Sequence, residues 1–177
     1  MYAILHEGKS IDKSFFQLLL DNLELDKDSV RFYGMGTKSN FFNKEHIQYK
    51  TLNDDILDAP ISKILFIMDA DESFENTKEK LKKIIEELGL NEISDFYIAC
   101  NQQTKKGYLE SLILSSMPKE QKECIEAFLN CSEFKSKTHD KSILNEIYKK
   151  AYPKAPYDFS HENFDELKQK LQNLFNQ

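Results

Sequence analysis

The sequence predicts an α/β fold, a mostly parallel central sheet of about four strands flanked by helices and followed by a helical C-terminal part. Short apolar runs alternate with helical patterns over roughly residues 1 to 100. One of those runs, Ile64-Leu65-Phe66-Ile67, is the kind of continuous apolar stretch that parallel strands show when both faces are covered. Parallel neighbours also need crossovers of helical length, and the spacing between the runs supplies them.

Tyr2 to Leu5 opens the chain as a buried strand, and His6-Glu7-Gly8-Lys9 turns into a helix from Ser10 that carries Phe15, Phe16, Leu18, Leu19 and Leu20. Val30 to Tyr33 is the second strand and ends in Gly34-Met35-Gly36. Ser39 is placed to cap a following helix with Phe41, Phe42 and Ile47 on its buried side. Ile61 to Met68 is the third strand and breaks at Asp69-Ala70-Asp71-Glu72. Thr77 to Leu88 has Leu81, Ile84, Ile85 and Leu88 at helical spacing, with Gly89 as its stop. Phe96 to Ala99 is the fourth strand.

Beyond it, Tyr108 to Ser115, Lys119 to Leu129 and Lys141 to Ala151 read as helices. The segment Tyr152-Pro153-Lys154-Ala155-Pro156 is a stiff link to a last helix striped with Phe164, Leu167, Leu171, Leu174 and Phe175. We expect one domain over residues 1–177, with a core of about 1–115 and a helical extension of about 116–177.

The composition narrows the function classes. A net charge of −6 and a single arginine, Arg31, argue against a protein that coats nucleic acid by charge alone, so lysine must carry most cationic contacts. Cys100, Cys124 and Cys131 lack the spacing of a zinc site or a disulfide framework and read as reduced thiols. No run approaches the ~20 apolar residues of a membrane span, and a cytoplasmic protein with no membrane partner is expected.

The chemistry concentrates at strand ends. Asp69 and Asp71 are separated by one small residue and can turn toward one point, and Glu7 ends a neighbouring strand. Three carboxylates together repel unless a cation lies among them. Oxygen-only ligation suits Mg2+ or Mn2+ better than zinc. Each aspartate has an ordinary alternative role in turn or capping chemistry.

An apolar strand ending in Glu-Gly, then a helix, then a later strand ending in Asp-x-Asp resembles the Toprim domain of topoisomerases, bacterial primases, recombination proteins and overcoming-lysogenization-defect nucleases. Here the motifs read Ile4-Leu5-His6-Glu7-Gly8-Lys9 and Ile64-Leu65-Phe66-Ile67-Met68-Asp69-Ala70-Asp71. The chain's size and its Gly107-Tyr108-Leu109-Glu110-Ser111-Leu112 segment look like small bacterial Toprim-like proteins. The resemblance implies a general acid or base, or a metal ligand, at Glu7, and metal-binding aspartates at Asp69 and Asp71. The nucleophilic-tyrosine, zinc-ribbon and ATPase parts of the larger relatives have no counterpart, so topoisomerase or primase activity is not implied.

Further candidates surround this centre. Glu110 is placed for a second metal, or simply favours its helix N-terminus. Gly34 and Gly36 with Lys38 could cradle phosphate, and Lys9, Lys105 and Lys106 could touch it from the same rim, although a plain turn and solvated lysines explain the same residues. A second basic track, Lys135, Lys137, Lys141, Lys149, Lys150 and Lys154, is interrupted by Asp140 and Glu146. His6 should face away from Glu7, and no histidine has ligand spacing.

The expected function is divalent-metal-dependent hydrolysis of nucleic-acid phosphodiesters, on DNA or RNA. The alternative is a non-catalytic nucleic-acid-binding or regulatory module. A homo-oligomer or protein partner is compatible with either.

Overall fold

The computed structural model describes residues 1–8, 10–58, 60–131 and 159–176. Strand β1 (Tyr2–His6) pairs in parallel with β2 (Val30–Gly34) and β3 (Lys63–Asp69), and β3 pairs in parallel with β4 (Ser94–Ala99). The sheet order is β2-β1-β3-β4. The chain leaves β1 through helix α1 (Ser10–Asn22) for the β2 edge, then returns past β1 to β3 through α2 (Lys38–Phe41) and α3 (Ile47–Asp58). Helix α4 (Phe74–Glu87) leads on to β4.

Strand alternation divides the core between two faces. Ala3, Leu5, Phe66 and Met68 pack with Phe41, Tyr49, Leu52, Leu81 and Ile84, so α2, α3 and α4 cover one face. Ile4, Leu65, Ile67 and Tyr97 pack with Phe15, Phe16, Leu112, Leu167 and Leu171 on the other. That second face is covered by α1, α5 (Leu109–Ser115) and α7 (Asp165–Phe175). Ile64 to Met68 are all buried, and each such side chain contributes about 1.5–3 kcal/mol over exposure, which holds β3 in the sheet centre.

Helix α4 starts where Ser73 Oγ accepts the Asn76 N–H at 3.3 Å, and it stops before Gly89, whose φ of 69° is the left-handed conformation of a helix terminator. Helix α6 (Lys119–Cys131) buries Ile125. The last helix buries Leu167, Leu171 and Leu174, and its Lys170 lies 2.7 Å from both carboxylate oxygens of Asp95 at the start of β4.

The four parallel strands, the flanking helices and the apolar stripe of the last helix are as the sequence predicts. The segment after Gly36 is not one helix. Phe41 closes a short helix, an Asn43–His46 turn intervenes, and Tyr49 Oη donates to the Phe41 carbonyl at 2.6 Å across the break. The helix restarts with Tyr49 and Leu52 inward, so Ile47 is 63% exposed instead of buried. Thr37, not Ser39, precedes the first helix, and it makes no side-chain cap. The expected helix at Lys141 to Ala151, the proline link and the second basic track lie outside the described residues.

Candidate functional site

Between β1 and β3 the connections part, one leading to α1 on one face and the other to α4 on the opposite face. In parallel sheets this divergence opens a crevice beyond the carboxyl ends of the strands. Glu7 follows β1 and Asp69 closes β3, so both flank that crevice. Glu7 Oε2 lies 3.5 Å from the Asp69 main-chain nitrogen, a long contact between strand ends that the β1/β3 pairing already sets side by side. Gly8 donates its N–H to Asp12 Oδ2 at 2.9 Å, which turns the chain into α1.

The aspartates face different partners. Asp69 is 4% exposed, and its Oδ1 accepts the Leu109 N–H at 2.9 Å at the first turn of α5. Asp71 accepts the Lys38 ammonium at Oδ2, 2.7 Å away. The same Lys38 Nζ donates to Thr77 Oγ1 at 2.9 Å and to the Asp69 carbonyl at 3.2 Å. A carboxylate, a hydroxyl and a carbonyl therefore ring one cation at the end of β3.

Asp71 has φ of 52°, a left-handed conformation that aspartate tolerates better than bulkier residues. The strain is held by a backbone bridge. Asp71 N–H donates to the Gly107 carbonyl at 2.8 Å, and Gly107 N–H donates back at 2.6 Å. Asn101 N–H donates to the Lys106 carbonyl at 2.8 Å, so the loop from Asn101 to Gly107 is latched against the end of β3. The latch sets Lys105 and Lys106 on the rim, both exposed, with Lys105 Nζ 5.8 Å from the centroid of the Phe74 ring.

Glu110 is 4% exposed in the first turn of α5. Gly34 lies at the β2 end, where a methyl group would come within 3.0 Å of the Gly8 carbonyl and 3.4 Å of the His6 ring. Close packing therefore accounts for Gly34, while Gly36, with φ of 82°, supplies the turn into α2. Lys9 lies outside the described residues.

His6 packs against Phe16 and Phe32, with ring centroids 5.9 and 6.2 Å away, on the α1 face. Burial lowers its pKa to about 4, with a smaller push in the same direction from the Lys13 charge and an opposing hydrogen bond with the Gly8 main chain. It is a neutral core residue at neutral pH.

The oxygen donors around β3 fit a hard cation in chemical kind. In the present arrangement Asp69 is engaged by α5 and Asp71 by Lys38, and among the described residues no three His, Cys, Asp or Glu side chains are gathered to hold a metal ion. Sequence reading missed Thr77. Its 1% exposure and its place one turn before Leu81 make it a lone polar residue on the apolar stripe of α4, and that irregularity is the signal that could have found it.

Among the described residues no helix is long and apolar enough to cross a membrane. No curated protein and no solved structure matches the chain significantly. A family model does match, over residues 1–176, and the chain belongs to the family described as "Protein of unknown function (DUF3226)".

Proposed function

We propose that this protein is a Toprim-like, single-domain phosphodiesterase acting on nucleic acid with Mg2+ or Mn2+. One observation carries the reading: at the β1/β3 crevice a carboxylate, a carbonyl and a hydroxyl already take up a positive charge, that of Lys38. Glu7, Asp69 and Asp71 would hold the metal ion, and Glu110, in the first turn of α5, is the candidate for a second. A bound divalent ion supplies charge neutralisation to a phosphoryl oxygen. Glu7 orients and deprotonates the attacking water, and Lys38, Lys105 and Lys106 bind the phosphate backbone from the rim.

Two observations favour a second reading, a nucleic-acid-binding or regulatory module without turnover. Asp71 is paired with Lys38, and Asp69 is engaged by the Leu109 N–H. Incubation of the protein with labelled single-stranded and duplex DNA and RNA, with and without Mg2+ or Mn2+, separates the two. Metal-dependent cleavage lost in Glu7→Gln and Asp69→Asn is the expected result. Cleavage that survives both substitutions rejects the site, and binding without cleavage of any substrate selects the module.

A further inference from the structure

We infer that Lys38 is a resident counter-cation: its ammonium holds Asp71 while no divalent ion is present and transfers to a substrate phosphate when one is bound. The inference rests on the proposed metal role of Asp71. Lys38 comes from α2, a helix of four residues that follows the Gly36 turn, and reaches across to the end of β3. Among the described residues its partners are the charged Asp71, the Thr77 hydroxyl and the Asp69 carbonyl. Thr77 Oγ1 is itself fixed, donating to the Ala70 carbonyl at 3.2 Å.

The pair is shielded but reachable, with side-chain exposures of 26% for Lys38 and 34% for Asp71. The Lys38–Asp71 pair itself can therefore meet a dissolved ion, while the Asp69 carboxylate beside it is buried. Lysine is the suitable residue, because a point charge on a flexible stem can leave one oxygen ligand for another without the fixed fork of a guanidinium. A carboxylate cannot give its full charge to an ammonium and to a divalent ion at once, so Lys38 and the metal ion compete for Asp71. A phosphate bound beside the metal ion offers the released ammonium a new anionic partner.

The test is Mn2+ titration of the substrate-free protein, followed by loss of the free-ion electron paramagnetic resonance signal. Wild type, Lys38→Met, Lys38→Gln and Asp71→Asn are compared, with circular dichroism confirming that each is folded. Removing the competitor should tighten Mn2+ binding by about two- to fivefold in the Lys38 variants, the range expected for one partly exposed ion pair. Asp71→Asn should weaken it. With Mn2+ saturating, inorganic phosphate should bind the wild type and bind the Lys38 variants more weakly.

Equal Mn2+ affinity in wild type and both Lys38 variants, with weakening in Asp71→Asn, overturns the competition and leaves the metal site standing. Mn2+ binding that is indifferent to Asp71→Asn, or absent from every folded variant, overturns the metal reading and the competition with it.

Discussion

Asp69 Oδ1 accepts the Leu109 N–H at 2.9 Å, which ties the carboxyl end of β3 to the first turn of α5. The bond is buried, so Asp69 supports the fold as well as the proposed chemistry. Asp69→Ala leaves the Leu109 donor without its acceptor and should cost about 1–2 kcal/mol of stability. Asp69→Asn keeps an oxygen acceptor and should melt closer to wild type while losing metal-dependent cleavage. Denaturant unfolding of the two variants checks the difference, and equal destabilisation would show that the charge itself is needed by the fold.

Thr77 bridges the Ala70 carbonyl and the Lys38 ammonium from a buried position. Thr77→Val keeps the shape and removes both bonds. We expect a loss of about 1–2 kcal/mol, read from the shift in the unfolding midpoint. Thr77→Ser, which keeps the hydroxyl, should recover most of the hydrogen-bonding part.

His6 gives the protein an acid-sensitive core. Its folded-state pKa is lowered to about 4 from 6.5 by burial, so the unfolded chain binds the proton first as pH falls. The stability contributed by the neutral ring is fully present above the unfolded value near 6.5 and is lost as pH drops toward the folded value near 4. The loss from this group approaches about 3 kcal/mol at the low end. Thermal unfolding at pH 7 and pH 4.5 should show a larger drop for wild type than for His6→Phe, and parallel drops would assign acid sensitivity to other groups.

Gly107 holds the latch to Asp71 with φ of 97°, and a methyl group there would collide with the Ser111 hydroxyl and come within 2.9 Å of Ser111 Cβ. Gly107→Ala should cost about 1–3 kcal/mol and loosen the loop that carries Lys105 and Lys106. Adding Ser111→Ala should relieve the hydroxyl collision but not the backbone strain. Hydrogen exchange at the Asp71 and Gly107 amides measures the loosening directly, and unchanged protection would disprove the latch.

Much of the sheet was legible because its signals are local. Ile64 to Ile67 is apolar without interruption, and the 3.6-residue spacing of Leu81, Ile84, Ile85 and Leu88 marks α4 within one short window. The turn between α2 and α3 does leave a local signal that the expected single helix overlooks: Ile47 stands five and six positions after Phe42 and Phe41, a spacing that puts the three on different faces of one continuous helix. Phe41 and Tyr49 fill the same pocket of the core from two separate helices.

The candidate site divides in the same way. The amino-acid sequence by itself determined that carboxylates stand at the ends of two apolar strands, since an Asp-x-Asp or a Glu-Gly following an apolar run needs no knowledge of distant residues. Only the tertiary structure decided what each carboxylate meets. Strand order brings Lys38 to Asp71 across 33 positions and Leu109 to Asp69 across 40, and strand alternation turns Asp69 toward the face that α5 covers. Those pairings follow from which helix lies over which face, a long-range packing outcome to which no local period refers.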